Sequence, residues 1–68
     1  MEISIGKYEA VKDCAMSLSG QHFLLMDGGN IEVEQIDSPA SKALVRCDGI
    51  IDWMHFSRIK KCFKRSGT

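Results

Sequence analysis

One proline, one tryptophan and one tyrosine are spread over 68 residues. No apolar run approaches the roughly 20 residues that a helix needs to cross a bilayer. The cysteines, Cys14, Cys47 and Cys62, are odd in number and widely spaced, unlike the dense, even set that staples a small secreted domain. There is no C-x-x-C, and His22 and His55 stand at no metal-ligand spacing from the cysteines. Reduced, partly buried thiols and no metal site are therefore expected. No Ser/His/Asp order, no closely spaced Cys–His pair and no phosphate-cradling glycine loop occurs, and Gly28-Gly29 reads as a turn between strand-like runs. These absences predict a non-enzyme with no catalytic residue, no cofactor and no small-molecule substrate. The start, Met1 to Gly6, lacks the basic opening and apolar stretch of a signal peptide, which with the free thiols points to the cytoplasm.

What is present is an ordinary globular composition, 44% hydrophobic and 26% charged, which argues against disorder. The length allows one domain, and a domain this small buries only about 60% of the surface its unfolded chain exposes. Formal charge is zero, but residues 1–52 hold four Lys/Arg against nine Asp/Glu. Residues 53–68 hold Arg58, Lys60, Lys61, Lys64 and Arg65 with no acid. Such asymmetry is the electrostatic pattern of an anion-docking end, or of a basic end answering an acidic body.

No window carries an i, i+3, i+4, i+7 apolar stripe over three turns, so no helix is expected. Short strand-like runs alternate with turn residues instead. Tyr8 to Cys14 alternates as a first strand, and Ala15 to Gln21 is small and polar, a long loop. Phe23 to Met26 forms a buried strand, and Asp27-Gly28-Gly29-Asn30 the strongest turn, because glycine takes positive φ without a Cβ penalty. Ile31 to Glu34 alternates apolar with acidic, and Asp37 to Ser41, with Pro39, breaks it. Lys42 to Cys47 puts Ala43, Val45 and Cys47 on one face and Lys42, Leu44 and Arg46 on the other. Asp48-Gly49 suits a two-residue hairpin turn, Ile50 to Met54 returns, His55-Phe56-Ser57 makes a single 3₁₀ turn, and Arg58 to Phe63 is the last strand. In that strand Arg58, Lys60 and Cys62 would share a face and Lys61 would point away. So many short strand-like runs in so short a chain imply an all-β domain closed into a small five-stranded barrel, since an open sheet leaves costly edges.

The order of loops and turns resembles a Src-homology-3 domain. Tyr8-Glu9-Ala10-Val11-Lys12-Asp13-Cys14 is similar to that family's Ala-Leu-Tyr-Asp-Tyr opening, keeping Ala10, an aliphatic at Val11, and Asp13. Phe23-x-Leu25-x-x-Gly28-x-x-Ile31-x-Val33 is similar to its central glycine signature, with Gly29 where Asp is usual. Asp37–Ser41 falls at its next variable loop, Asp48-Gly49 at its tight distal hairpin, and Trp53 and Ile59 at its closing turn and strand. The resemblance implies a barrel over residues 7–63, an extension at 1–6 and a flexible basic tail at 64–68. It also implies a protein-interaction module of a larger signalling, adaptor or scaffold protein, whose partner is another protein or a neighbouring domain of the same chain. The family's proline-rich ligands lie on a row of aromatics, and here that row is largely lost. Lys12 and Cys14 replace two tyrosines, Ala40 or Ser41 stands for the ligand-binding tryptophan, His55 for the groove proline and Arg58 for the last tyrosine. The protein-binding candidates are then Tyr8, Asp13, Asp27, Glu34, Trp53 and His55.

Val45 to Lys60, with Gly49-Ile50-x-x-Trp53-Met54-His55-x-Ser57-Arg58-Ile59-Lys60, is similar over a quarter of the chain to the carboxy-terminal domain of gammaretroviral integrases, a DNA-binding barrel of the same type. That likeness implies nucleic acid as the alternative partner, and the basic end allows an anionic membrane surface. The cations available for either are Arg46, Arg58, Lys60, Lys61, Lys64 and Arg65, each able to contribute about 1 kcal/mol at a membrane and a salt-dependent gain on nucleic acid.

Overall fold

The computed structural model describes residues 3–66. Seven strands and one helix follow in the order β1 (Gly6–Ala10), β2 (Cys14–Leu18), β3 (Gln21–Leu25), β4 (Asn30–Asp37), β5 (Lys42–Cys47), β6 (Ile50–His55), α1 (Phe56–Cys62) and β7 (Phe63–Arg65). Two antiparallel sheets result, a five-stranded one ordered β6-β5-β4-β1-β7 and a two-stranded one, β2-β3. No backbone ladder joins them among the described residues.

Two tight turns set much of this register. A two-residue hairpin of the primed type needs positive φ at both central residues, and Asp48 (54°) with Gly49 (81°) supplies it between β5 and β6. Ser19 (51°) and Gly20 (76°) do the same between β2 and β3. The first turn pairs Cys47 with Ile50, hence Leu44 with Trp53 and Lys42 with His55. The second pairs Leu18 with Gln21, hence Met16 with Phe23 and Cys14 with Leu25. β4 is the long strand that serves two neighbours: Asn30 to Val33 face β1, and Glu32 to Asp37 face β5. A register shift between Val33 and Gln35 leaves Glu34 as the extra residue, and such a bulge bends its strand.

The core is assembled from alternate residues of each strand. Tyr8 and Ala10, Ile31 and Val33, Ala43, Val45 and Cys47, and Met54 line the inner face of the large sheet. Cys14, Met16 and Leu18 reach in from the hairpin, and Ile59, Cys62 and Phe63 close the end. Ile3 is buried with them.

Several expectations are corrected. Phe23 to Met26 is not a buried strand: β3 is the edge of a two-stranded sheet, with Phe23 and Leu25 half-buried and Leu24 and Met26 exposed. Ala15 to Gln21 is a strand, a turn and the start of a second strand, because Cys14, Met16 and Leu18 alternate inward with Ala15 and Ser17 outward. His55-Phe56-Ser57 does not make a 3₁₀ turn, and Arg58 to Phe63 is not a strand. Phe56 to Cys62 form two turns of α-helix whose three-residue spacing puts Phe56, Ile59 and Cys62 toward the core. The strand count is accordingly seven rather than five. β7 takes in Lys64 and Arg65, which the sequence assigned to a tail, and Gly6, assigned to the extension, opens β1. Residues 1, 2, 67 and 68 lie outside the described residues.

Ile59 is fully buried while its helical neighbour Lys60 is exposed. Ile59→Ala is expected to cost about 2–5 kcal/mol in urea unfolding, and Lys60→Ala less than about 0.5 kcal/mol. Equal small losses at both positions would contradict the packing of α1.

Candidate functional site

Alternation on β4, β5 and β6 gives the large sheet an outer face. There Leu44 sits opposite Trp53, Arg46 opposite Ile51, and Lys42 opposite His55. Trp53 is 42% exposed and Ile51 38%, with half-buried Leu44 beside them. Paired cross-strand residues lie about 5 Å apart, so these three side chains form one apolar strip along the β5–β6 edge. Polar side chains rim it: Lys42 and His55 at one end, Arg46 at the other. Arg46 is anchored, its Nε donating to Glu34 Oε2 at 2.6 Å. That carboxylate raises the Arg46 pKa by hydrogen bonding and by its charge.

Of the protein-binding candidates, Glu34, Trp53 and His55 are thus brought onto one face. Tyr8 is not among them. It is buried in the core at 2% exposure, and its hydroxyl accepts from the Ser4 backbone N–H at 2.9 Å and donates to the Ser4 carbonyl at 3.0 Å. Asp13 and Asp27 meet elsewhere, where the Asp27 N–H donates to Asp13 Oδ1 at 2.9 Å across the β1–β2 and β3–β4 connections. His55 also has a local task. It is the N-cap of α1, its Nδ1 accepting from the Ser57 N–H at 3.2 Å.

The basic candidates separate as well. Lys60 and Lys61 occupy the last turn of α1, where cations are favoured by the helix dipole. Arg58 donates from Nη2 to the Ala15 carbonyl on β2. Arg65 donates to Ser4 Oγ and lies over the Tyr8 ring, 5.7 Å from its centre. Lys64 stands opposite Glu9 in the β1–β7 ladder. Arg46, Arg58 and Arg65 are therefore engaged within the chain, and Lys60, Lys61 and Lys64 carry the remaining basic character.

Sequence reasoning missed the residues that hold the hairpin to the sheet. Asp52 Oδ2 accepts from the Ser19 N–H at 2.8 Å and Oδ1 from the Trp53 N–H at 2.8 Å, while Ser19 Oγ donates to the Ile51 carbonyl at 3.1 Å. Leu44 and Ile51 were also passed over, although counting back from a two-residue turn at 48–49 sets them beside Trp53. Among the described residues no group of three His, Cys, Asp or Glu is placed to hold a metal. Among these residues no helix is long and apolar enough to cross a membrane.

All three thiols are free and buried. Burial first, and then the Cys62 thiol beside it, push Cys14 up to about 11. Burial, with the charge of Asp48, also raises Cys47. Ellman's reagent at pH 8 is expected to leave these thiols essentially unreacted in native protein and to titrate all three after denaturation. Rapid native labelling of Cys14 or Cys62 would contradict their burial.

The two backbone N–H donors hold the Asp52 carboxyl below its ordinary value. A depressed carboxyl stabilises the fold in full above its unfolded pKa, and that contribution is lost as pH falls through the folded one. Asp52→Asn is therefore expected to lower the urea midpoint at pH 7 and to shrink the difference between pH 7 and pH 3. An unchanged acid limb would mean that Asp52 does not hold the hairpin to β6.

Compared with known proteins, the chain matches no family model, no curated protein and no solved structure.

Proposed function

We propose that this chain is a non-catalytic protein-interaction domain of Src-homology-3-like design, which binds a protein partner on the outer face around Trp53 rather than proline-rich peptides in an aromatic groove. The observation that carries the reading is Trp53. It is the one exposed aromatic of the five in the chain, since Tyr8 and Phe63 are buried and Phe23 and Phe56 half-buried. Tryptophan is enriched among residues that dominate binding energy, and such residues sit inside a rim of weaker polar contacts. Leu44 and Ile51 extend the apolar area, and Lys42, Arg46 and His55 provide the rim.

Support for the barrel design is the order of elements. A hairpin follows β1, the Asp27 to Gly29 turn leads into β4, Asp37 to Ser41 turn before β5, Asp48-Gly49 close the β5–β6 hairpin, and a helical segment precedes the last strand. The loss of an aromatic row goes further than the sequence suggested, because Tyr8 is a core residue. Without that row a polyproline II helix finds little apolar area to lie on. Nucleic acid is the weaker reading, as three of its six candidate cations are engaged within the chain.

Trp53→Ala is expected to change the unfolding free energy by less than about 1 kcal/mol, the range of an exposed cross-strand pair. A loss of several kcal/mol would make Trp53 a fold residue and remove the basis of the reading. Titrations of isotope-labelled protein with PxxP peptides and with duplex DNA are expected to leave the amide spectrum unmoved at near-physiological salt. Micromolar peptide binding, or a salt-steep DNA response at Lys60, Lys61 and Lys64, would replace it.

A further inference from the structure

Every sheet edge exposes alternate N–H and C=O groups that can template pairing with another chain, and natural proteins blunt such edges with charge, brevity or side-chain cover. Three of the four edges here are blunted. On β6 the Ile51 carbonyl is taken by Ser19 Oγ and the Trp53 N–H by Asp52. On β2 the Ala15 carbonyl is taken by Arg58. β7 is three residues long and carries Lys64 and Arg65.

The fourth edge is β3, hydrogen-bonded to β2 alone. Across a two-residue turn the flanking pair exchanges both hydrogen bonds, and bonded and non-bonded pairs then alternate. Leu18–Gln21, Met16–Phe23 and Cys14–Leu25 are therefore the bonded pairs of this hairpin, and Ser17–His22 and Ala15–Leu24 the others. It follows that the N–H and C=O of His22 and of Leu24 point away from β2. Among the described residues no hydrogen bond reaches them. Gln21 to Met26 contain no Lys, Arg, Asp, Glu or Pro. Leu24 is 55% exposed and Met26 59%. Among the described residues nothing protects this edge.

We propose that β3 is a docking edge for the β3 strand of a second copy of this chain, the two pairing antiparallel about a two-fold axis at Phe23. In that register His22 meets Leu24 of the second copy and Leu24 meets its His22, which engages all four free backbone groups on each strand in four hydrogen bonds. Phe23 meets Phe23 at a non-bonded position, where side chains approach most closely, and its remaining exposed surface is covered. Gln21 falls opposite Leu25, Gly20 opposite Met26 and Ser19 opposite Asp27, so no like charges are opposed along the contact. The chain as a whole is formally neutral, so two copies approach without net repulsion. The contact is isologous and closes on itself. One strand pair buries less than the roughly 1,200 Å² of a stable interface, so the dimer is a dissociating one. This surface is separate from the Trp53 strip.

Sedimentation velocity over about 10 µM to 1 mM tests it, with wild type, Leu24→Lys and Trp53→Ala compared after each variant's circular dichroism and melting have been shown native-like. The expected result is a reversible monomer–dimer equilibrium. Leu24→Lys, which sets a cation on an exposed edge position, raises the dissociation constant by about tenfold or more, and Trp53→Ala leaves it unchanged. A wild type that stays monomeric throughout, a dimer indifferent to Leu24→Lys, a dimer broken by Trp53→Ala, or open-ended growth would each overturn the proposal.

Discussion

The fold depends on fastening a hairpin that has no backbone ladder to the rest of the molecule. Among the described residues β2 and β3 form backbone ladders only with each other, yet Cys14, Met16 and Leu18 supply one side of the only core a chain this short can build. Their burial drives the hairpin down onto the large sheet, because apolar surface removed from water is worth about 25 cal/mol per Å². Apolar burial has no direction, however. Orientation comes from polar pins: Ser19 on Asp52 and on the Ile51 carbonyl at the hairpin tip, and Arg58 on the Ala15 carbonyl along its flank.

The same pins decide which surfaces remain for partners. Asp52 takes the Trp53 N–H as well as the Ser19 N–H, so part of the outer β6 backbone is engaged within the chain while the Trp53 side chain stays outside. The outer strip of Leu44, Ile51 and Trp53 is thereby rigidly presented on a paired strand, not on a loop, which lowers the ordering cost of binding. Fastening β2 by its outer edge leaves β3 with nothing beyond it.

The β5–β6 hairpin is legible residue by residue in the sequence. Lys42 to Cys47 alternate without interruption, and Asp48-Gly49 admits one turn class, which sets the register and the face of Trp53. β2 is harder to see because its outward residues, Ala15 and Ser17, are small and, with Ser19 of the turn, imitate a loop. The inward Cys14, Met16 and Leu18 nonetheless hold strand spacing, and Ser19-Gly20 is a turn pair. α1 escapes a search for three-turn stripes since it has only two turns, with Phe56, Ile59 and Cys62 as its whole apolar face. The site fares less well. Exposure of Trp53 follows from alternation, but the core position of Tyr8 depends on where β1 is flanked by β4 and β7. The engagement of Arg58 and Asp52 depends on contacts 43 and 33 residues away in the chain, which no local pattern announces.

Native-state amide hydrogen exchange on dilute protein tests the central claim, that the hairpin is a fastened part of the core with one open edge. The Met16, Leu18, Gln21 and Phe23 amides should exchange as slowly as those of β4 and β5, through global unfolding. The His22 and Leu24 amides between them should exchange faster by orders of magnitude. If the whole hairpin exchanged far ahead of the five-stranded sheet, the hairpin would be a loosely attached flap and the account would be contradicted.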